Sequence, residues 1–188
     1  MSKTIVNLTA GQYDQAIIKC KDIFLKKMQD YGTAWRILRP SSLTDQIFIK
    51  AQRIRSIEEK KEQKIGEGVE SEFIGIINYA AIALVQLQLP ASAPMELEQK
   101  DAAHRIEQEF NAAKKLMMDK NHDYGEAWRD MRVSSMTDLI LMKLLRIKQI
   151  EDNLGETIIS EGVEANYYDI INYAVFALIK LDEERINS

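Results

Sequence analysis

The sequence has very few residues that could form disulfides or thiolate metal centres. Cys20 is the only cysteine, which excludes an internal disulfide and a cysteine-based zinc site. The two histidines, His104 and His122, are too few for a histidine-rich metal centre. A small anionic ligand held through a metal ion is still compatible with this composition.

Basic residues are not in excess, since 25 lysines and arginines stand against 29 acids and the net charge is −4. Binding of phosphate backbones usually requires a basic surplus, so we expect no nucleic-acid partner. The N-terminus, "MSKTIVNLTAGQYDQ", lacks the apolar core of a signal peptide. The most apolar run, residues 74–89, is interrupted by Asn78 and Gln86 and is short for a membrane span. We therefore expect a soluble, cytoplasmic protein without a membrane partner.

Proline and glycine are also scarce, with three and eight among 188 residues. Ile, Ala, Glu, Leu and Lys are the commonest residues, and the last four are among the better helix formers. No stretch has the alternation of apolar and polar residues that is typical of a strand. The sequence therefore predicts an all-α fold, with room for one domain or two small units sharing a core.

The chain is a tandem duplication. Residues 30–58 match residues 123–151 at seventeen of twenty-nine positions, including "DYG" and "AWR". After one extra residue in the second copy, residues 67–87 match residues 161–181 at twelve of twenty-one positions. The linker, residues 88–99, holds two of the three prolines. We place the first repeat at residues 1–94 and the second at residues 95–188.

Each repeat is predicted to form three helices, at residues 13–29, 44–60 and 67–89, and again at residues 103–120, 137–153 and 161–185. The second helix of each follows "SSLTD" or "SSMTD", where hydroxyls can cap the exposed amides and the aspartate meets the positive end of the dipole. The third helices are apolar on nearly every side, which favours a central position. Because one such unit buries little apolar surface, we expect the repeats to pack as one bundle, a pseudo-dimer within one chain. A homodimer of two chains is also compatible with the sequence.

Polar residues interrupt the apolar third helix of the second repeat. Glu161, Glu164, Asp169 and Asn172 share an arc of roughly 140° at 100° per residue. A buried carboxylate is costly unless it is paired or binds a cation. Hard oxygen ligands suit Mg²⁺ or Mn²⁺, with a phosphate completing the shell. This pattern makes the three acids candidate metal ligands and Asn172 a candidate substrate contact.

The second helix of that repeat adds two candidate catalytic cations, Lys143 and Arg146. They could offset charge on a phosphate, or they could pair with Asp169 and Asn172 across the helix pair. Acids at a helix start also suit the dipole without any ligand. A structural role is therefore an open alternative for this cluster.

The motif "NHDYGEAWR", residues 121–129, is the strongest shared feature of the repeats. Its aromatics, Tyr124 and Trp128, could stack on a base while Asp123 and Arg129 bond to the edge of that base. In the other interpretation they are core or hinge residues with satisfied polar tips. Gly125 indicates a turn, so we expect the motif to form the corner between the first two helices.

The two repeats differ at positions that matter for this interpretation. Gly75 stands in the first repeat where Asp169 stands in the second, and Thr33 stands where Glu126 does. If Asp169 is a metal ligand, the first repeat has lost a full site. The second repeat is thus the predicted working half, although a site formed from both halves is the alternative.

Together, "HDYGEAWR", "K..RI..IE" and "EGVE....DIINYA" resemble the nucleotide modification associated domain 1 family, a family of unknown function. The resemblance covers residues 13–89 and 103–181. More distantly, the chain is similar to the all-α nucleoside triphosphate pyrophosphohydrolases, the MazG and dimeric dUTPase group. Those bundles present "EExxE" and "ExxD" clusters to magnesium and a nucleotide, and the "ExxE" and "DxxN" of residues 161–172 match the second cluster loosely.

The resemblance implies a magnesium-dependent nucleotide pyrophosphohydrolase or nucleotide-processing protein acting on (d)NTP-like substrates. Carboxylates would hold the metal, a metal-bound water would attack, and Lys143 or Arg146 would offset the developing charge. The alternative is a non-catalytic helical module that binds a nucleotide or a partner protein. Under the first hypothesis Asp169→Asn abolishes turnover and spares the fold, whereas under the second it lowers stability.

Overall fold

The computed structural model describes residues 3–60 and 68–187. In these residues the chain forms six α-helices and two short 3₁₀ helices, with no β-strand. The helices of the first repeat are α1 (Lys3–Tyr31), α2 (Pro40–Lys60) and α3 (Val69–Gln88), and those of the second are α4 (Gln99–Tyr124), α5 (Val133–Asp152) and α6 (Val163–Asn187). The all-α duplicated fold is confirmed, while the predicted start of a helix at Glu67 lies outside the described residues.

The two third helices, α3 and α6, pack against each other at the centre of the bundle, as their composition predicts. Helix α2 packs on α3, α5 packs on α6, and α2 also contacts α5. Helices α1 and α4 lie across the central pair, each in contact with both α3 and α6. Buried residues of all six helices therefore form one core.

Helix α3 is the one described helix that is long and apolar enough to cross a membrane. Of its apolar window, 67% is buried inside the bundle, against α2 and α6. The central position of α3 explains its apolar composition, because a helix that is apolar on nearly every side must be covered on nearly every side.

Helices α2 and α5 begin earlier than the sequence predicts, and the predicted hydroxyl caps are wrong. Helix α2 begins at Pro40, whose fixed φ suits the first turn, and α5 begins at Val133 without a side-chain cap. Thr44 and Thr137 lie inside these helices, where they are fully buried and donate hydrogen bonds to carboxylates of the other repeat. Contacts across the bundle, rather than capping, explain why threonine recurs at this position.

The repeated "DYG.AWR" motif forms the predicted corner in both repeats. Gly32 and Gly125 have φ of 61° and 72°, a left-handed conformation that glycine adopts without steric cost. Their amides donate to the carbonyls of Met28 and Asn121, at 2.9 and 3.0 Å, and so terminate α1 and α4. One 3₁₀ turn follows in each repeat, at Ala34–Ile37 and Ala127–Asp130, and connects to the second helix.

Candidate functional site

Asp169 is a buried ion-pair acceptor between two lysines. Its two carboxylate oxygens accept hydrogen bonds from Lys143 Nζ at 2.6 Å and from Lys120 Nζ at 2.5 Å. Burial tends to lower the pKa of Lys120, but its hydrogen bond and charge interaction with Asp169 outweigh burial and the pKa is raised. Lys143 thus pairs with Asp169 across α5 and α6, which was one of the two alternatives for this cluster.

The three predicted metal ligands do not form a cluster. Glu161, just before α6, and Glu164, in its first turn, are exposed, whereas Asp169 is buried with both oxygens bound to lysines. Within residues 3–60 and 68–187, no three His, Cys, Asp or Glu side chains converge in a way that could hold a metal ion. These residues do not fit Mg²⁺ or Mn²⁺ as they are arranged, and metal dependence stays a prediction.

Asn172, the predicted substrate contact, is buried and hydrogen-bonded to protein partners through both ends of its amide. Its Oδ1 accepts a hydrogen bond from the Tyr13 hydroxyl at 2.8 Å, and its Nδ2 donates to the carbonyl of Ala113 at 3.1 Å. It therefore joins α6 to α1 and α4.

The corner residues of the second repeat divide into two groups. Trp128 is buried and stacks on Phe176 with centroids 4.2 Å apart and planes 5° apart, and Arg129 Cζ lies 4.4 Å from the centroid of the Trp128 ring. Tyr124 is 79% exposed, and Asp123 is exposed beside His122, with an Oδ1 to Nδ1 distance of 3.1 Å. The structure therefore does not bring the four predicted base-binding residues to one site.

Arg129 anchors the corner to the first repeat. Its guanidinium donates to Thr9 Oγ1 at 2.6 Å and to Gln12 Oε1 at 2.7 Å, both on α1. It also donates to Glu126 and Glu183 at 3.0 Å each. The Arg129 guanidinium thus donates to four protein acceptors, an arrangement that matches the structural interpretation of the motif.

Arg146 and Glu161 do lie together, at an open depression of about 710 Å³ beside the loop of residues 153–162. Asn166 also contributes to this depression, while Asp169 does not. The predicted second-repeat site is thus split between a surface depression and a closed ion pair.

In the first repeat the buried acid is Glu72, one helical turn before Gly75, the position that corresponds to Asp169. Glu72 is 4% exposed and pairs with Lys50 at 3.3 Å and with Arg53. Gly75 occupies the position of Asp169, and the side chain of Lys50 runs across it, so that a Cβ added there would lie 2.9 Å from Lys50 Cε. The second repeat has the reverse arrangement, with Asn166 in place of Glu72 and the acid at Asp169.

This shift leaves one lysine without an acid. Lys27 corresponds to Lys120, which binds Asp169 in the second repeat. In the first repeat Gly75 offers no carboxylate, and among the described residues Lys27 has neither an ion pair nor a side-chain hydrogen bond. An unneutralised ammonium group at this position favours an anion.

Lys27 lines a cavity of about 450 Å³, which we call the first-repeat pocket. The pocket lies between α1, the first 3₁₀ turn, α2 and α3, and it is mainly apolar. Its chemically distinctive lining residues are Lys27, Tyr31, Trp35, Lys50, Glu72, Gly75, Asn78, Tyr79 and Ile82. A mainly apolar cavity of this size with a few convergent polar groups is typical of a small-molecule site.

A second replacement keeps this pocket open beside Trp35. Ile82 stands where the second repeat has Phe176, the ring that stacks on Trp128. Within the described residues, no stacked ring covers Trp35. An indole that lines a cavity offers a flat apolar surface on which a planar ligand can stack.

Asn78 contributes a buried amide with one free acceptor. Its Nδ2 donates to the carbonyl of Cys20 at 3.0 Å, as Asn172 donates to Ala113 in the second repeat. Its Oδ1 is buried and has no hydrogen-bond partner in the described structure. Ile106 occupies the position that Tyr13 holds in the other repeat, which explains why no hydroxyl reaches this atom.

The sequence pattern predicts a site in the second repeat and does not indicate the first-repeat pocket. The signal lies at Gly75, which in the sequence alone indicates only the loss of a ligand. Loss of the carboxylate also leaves Lys27 without the acid that its counterpart Lys120 has. Only the packed structure shows that Lys27 and Gly75 line one pocket, with the Lys50 side chain lying across Gly75.

The model of the nucleotide modification associated domain 1 family matches residues 27–87 and, a second time, residues 120–181. The chain belongs to this family. Each matched nucleotide modification associated segment contains the corner, the second helix and most of the third helix. The first segment includes the pocket residues from Lys27 to Ile82. Searches of curated proteins and of solved structures gave no match, and nothing found supports the more distant similarity to the pyrophosphohydrolases.

Proposed function

We propose that this protein binds a nucleotide in the first-repeat pocket, and that the corresponding region of the second repeat is filled by its own side chains. The observation that carries the proposal is the comparison between repeats. In the second repeat, the Asp169 carboxylate lies between two lysines and the Phe176 ring stacks on a tryptophan. The first repeat lacks both of these groups, and it has a cavity there.

The anionic part of the ligand takes the role of the Asp169 carboxylate. Lys27 lines the pocket and has no acid of its own in the described structure. Gly75 brings no carboxylate to the pocket wall, and the Lys50 side chain lies across it. A phosphate that accepts a hydrogen bond from Lys27 is a charge-assisted contact, which is stronger than a neutral one. Lys50 lies on the pocket wall, where it is paired with Glu72.

The planar part of the ligand takes the role of the Phe176 ring. Trp35 lines the pocket and Ile82 does not cover its face as a ring would. A nucleobase stacked on an aromatic side chain is stabilised by about 1–3 kcal/mol. A ligand with a phosphate at one end and a flat ring at the other is a nucleotide, and the description of the family points to the same class of molecule.

Binding is tested by calorimetric titration of the full chain with ribo- and deoxyribonucleoside mono- and triphosphates. Each titration is run with Mg²⁺, with Mn²⁺ and with chelator, because metal dependence is still a prediction. We expect one site per chain.

Lys27→Met should weaken binding roughly tenfold or more, since it removes one charged hydrogen bond. It should leave the melting temperature nearly unchanged, because Lys27 is exposed and has no ion pair in the described structure.

Lys120→Met is the matched control in the second repeat. It removes one partner of the buried Asp169, so we expect it to lower the melting temperature and to leave nucleotide affinity unchanged. Absence of binding across the whole panel, or loss of binding in Lys120→Met alone, would show that the pocket proposal is wrong.

The same mixtures also test the hydrolase hypothesis. Metal-dependent release of phosphate or pyrophosphate that disappears in Asp169→Asn would support catalysis in the second repeat. Binding without release favours the non-catalytic module, which is the function that the arrangement of the acids supports better.

A further inference from the structure

The residues that line the first-repeat pocket carry little positive charge. Among them are two cations, Lys27 and Lys50, and one acid, Glu72, so the described lining has a net formal charge of +1. Lys50 Nζ lies 3.3 Å from a Glu72 carboxylate oxygen, and Arg53 pairs with the same carboxylate. Lys27 is therefore the one cation of the described lining that is not paired with an acid.

One phosphate group is enough to neutralise this charge. A phosphate monoester carries about −1.5 to −2 charges at pH 7, and its oxygens can accept hydrogen bonds from the Lys27 ammonium group. Every further phosphate adds negative charge, for which the described lining has no unpaired cation. A charge that leaves water for an apolar cavity without a partner is costly. The charge balance therefore favours a ligand with a single phosphate.

The exposed residues of the described lining add no further cation to Lys27. Tyr31 and Ile37 line the pocket, are 70% and 72% exposed, and carry no charge at neutral pH. Ser71, which is also exposed, donates its hydroxyl to the carbonyl of Gly68 at 2.9 Å. A phosphate chain that left the cavity past these residues would meet uncharged groups.

The size of the pocket agrees with a small ligand. Its volume of about 450 Å³ lies in the lower part of the range of about 300–1,000 Å³ that small-molecule sites occupy. The mainly apolar lining suits a base, which leaves the region of Lys27 for the phosphate. A nucleoside monophosphate is the smallest nucleotide, so it needs the least space for both parts.

We infer that the first-repeat pocket selects nucleoside monophosphates over triphosphates, and that the charge of its lining is the cause. This inference rests on the proposed nucleotide function and adds the number of phosphates. It differs from the triphosphate substrates that the more distant resemblance to the pyrophosphohydrolases implies.

The test titrates the mono-, di- and triphosphates of one nucleoside into the full wild-type chain, in chelator and again in Mg²⁺. In chelator we expect the monophosphate to bind about tenfold or more tightly than the triphosphate, because the further phosphates have no partner. In Mg²⁺ it should still be the tighter ligand. A triphosphate that binds as tightly as the monophosphate in either buffer would overturn the inference while leaving nucleotide binding established. No binding of any form would instead remove the proposed function itself.

Glu72→Gln tests whether the charge of the lining sets this preference. The substitution removes the one acid of the described lining, so its net formal charge rises from +1 to +2. We expect the affinity for the triphosphate to rise about three- to tenfold relative to that for the monophosphate. Asp169→Asn is the matched control, because it removes the buried acid of the second repeat and should keep the wild-type ratio of affinities. A ratio that is unchanged in Glu72→Gln would overturn the inference, and the wild-type comparison decides the question if that variant does not fold.

Discussion

At the scale of single residues, the position of one carboxylate distinguishes the two repeats. The Asp169 carboxylate accepts hydrogen bonds from both Lys120 and Lys143, and it joins α4, α5 and α6 in the second repeat. In the first repeat the acid is Glu72, one turn earlier, and it engages Lys50 and Arg53 instead. Both repeats therefore keep a buried acid with two cations. Only in the second repeat does that acid bind a lysine of the first helix of its own repeat, Lys120.

Asp169→Asn tests whether that carboxylate is structural. The substitution leaves Lys143, whose side chain is 11% exposed, without a counter-charge, so we expect a loss of unfolding free energy of about 3 kcal/mol. Chemical denaturation of the wild type and the variant measures this difference. Glu72→Gln is the matched variant and should be destabilised to a similar extent, whereas full stability of Asp169→Asn would mean that the ion pair is not structural.

At the scale of the elements, α2 and α5 are joined by two equivalent hydrogen bonds. Thr44 Oγ1 donates to Glu151 at 2.8 Å, and Thr137 Oγ1 donates to Glu58 at 3.0 Å. Burial raises the pKa of both glutamates above the ordinary value of 4.5, although the threonine hydrogen bonds act in the opposite direction. This interface therefore contains two carboxylates that are less easily ionised in the folded state than in the unfolded state.

A raised pKa makes this interface weaken as pH increases. Between 4.5 and the higher folded-state pKa, the folded protein holds more protons than the unfolded chain, so stability falls with rising pH. Above that range the penalty is fully present, and below 4.5 it is absent. Glu151→Gln keeps an acceptor for Thr44 without the charge, so it should raise the melting temperature at pH 7 by about 1–3 °C, and the gain should shrink towards pH 4.

Thermal unfolding of wild type and Glu151→Gln at both pH values measures this effect. Glu107→Gln provides a control of opposite sign, because a hydrogen bond from Lys21 lowers the pKa of Glu107. That variant should lose stability at pH 7 rather than gain it. A gain from Glu151→Gln that is as large at pH 4 as at pH 7 would contradict the assignment.

At the scale of the whole molecule, the first helix of each repeat joins the two halves. Helix α1 belongs to the first repeat in sequence, yet Tyr13 binds Asn172 and Gln12 donates to Glu183 at 2.7 Å, both on α6. Helix α4 reaches back to α3, where Gln88 donates to Glu109 at 2.9 Å. With α3 packed on α6 as well, neither repeat has a complete core of its own.

Separation of the repeats at Pro94 should therefore abolish independent folding. We expect residues 95–188 alone to be largely unfolded or to self-associate, because α6 loses its contacts with α1 and α3. Mixing the two halves should restore a one-to-one complex with native helicity. Circular dichroism and light scattering measure both properties, and a stable helical monomer of residues 95–188 would contradict this prediction.

The candidate site was predicted less well than the fold, and particular residues show why. The apolar periodicity of α3 and α6 indicated their central position, because burial on all sides requires apolar residues on all sides. The same periodicity placed Asp169 and Asn172 in the core. It could not indicate their partners, since Lys120 and Tyr13 come from helices that are distant in sequence.

The class of the fold, the duplication and the corner at each glycine follow from the sequence alone. These properties depend on local conformation and on periodicity, which the order of residues encodes directly. Which repeat contains a pocket follows only from the packing of the helices. That property depends on side chains from several helices meeting at one point, where Ile82 stands in place of a ring, Lys50 lies across Gly75, and Lys27 and Asn78 lack the partners that their counterparts have.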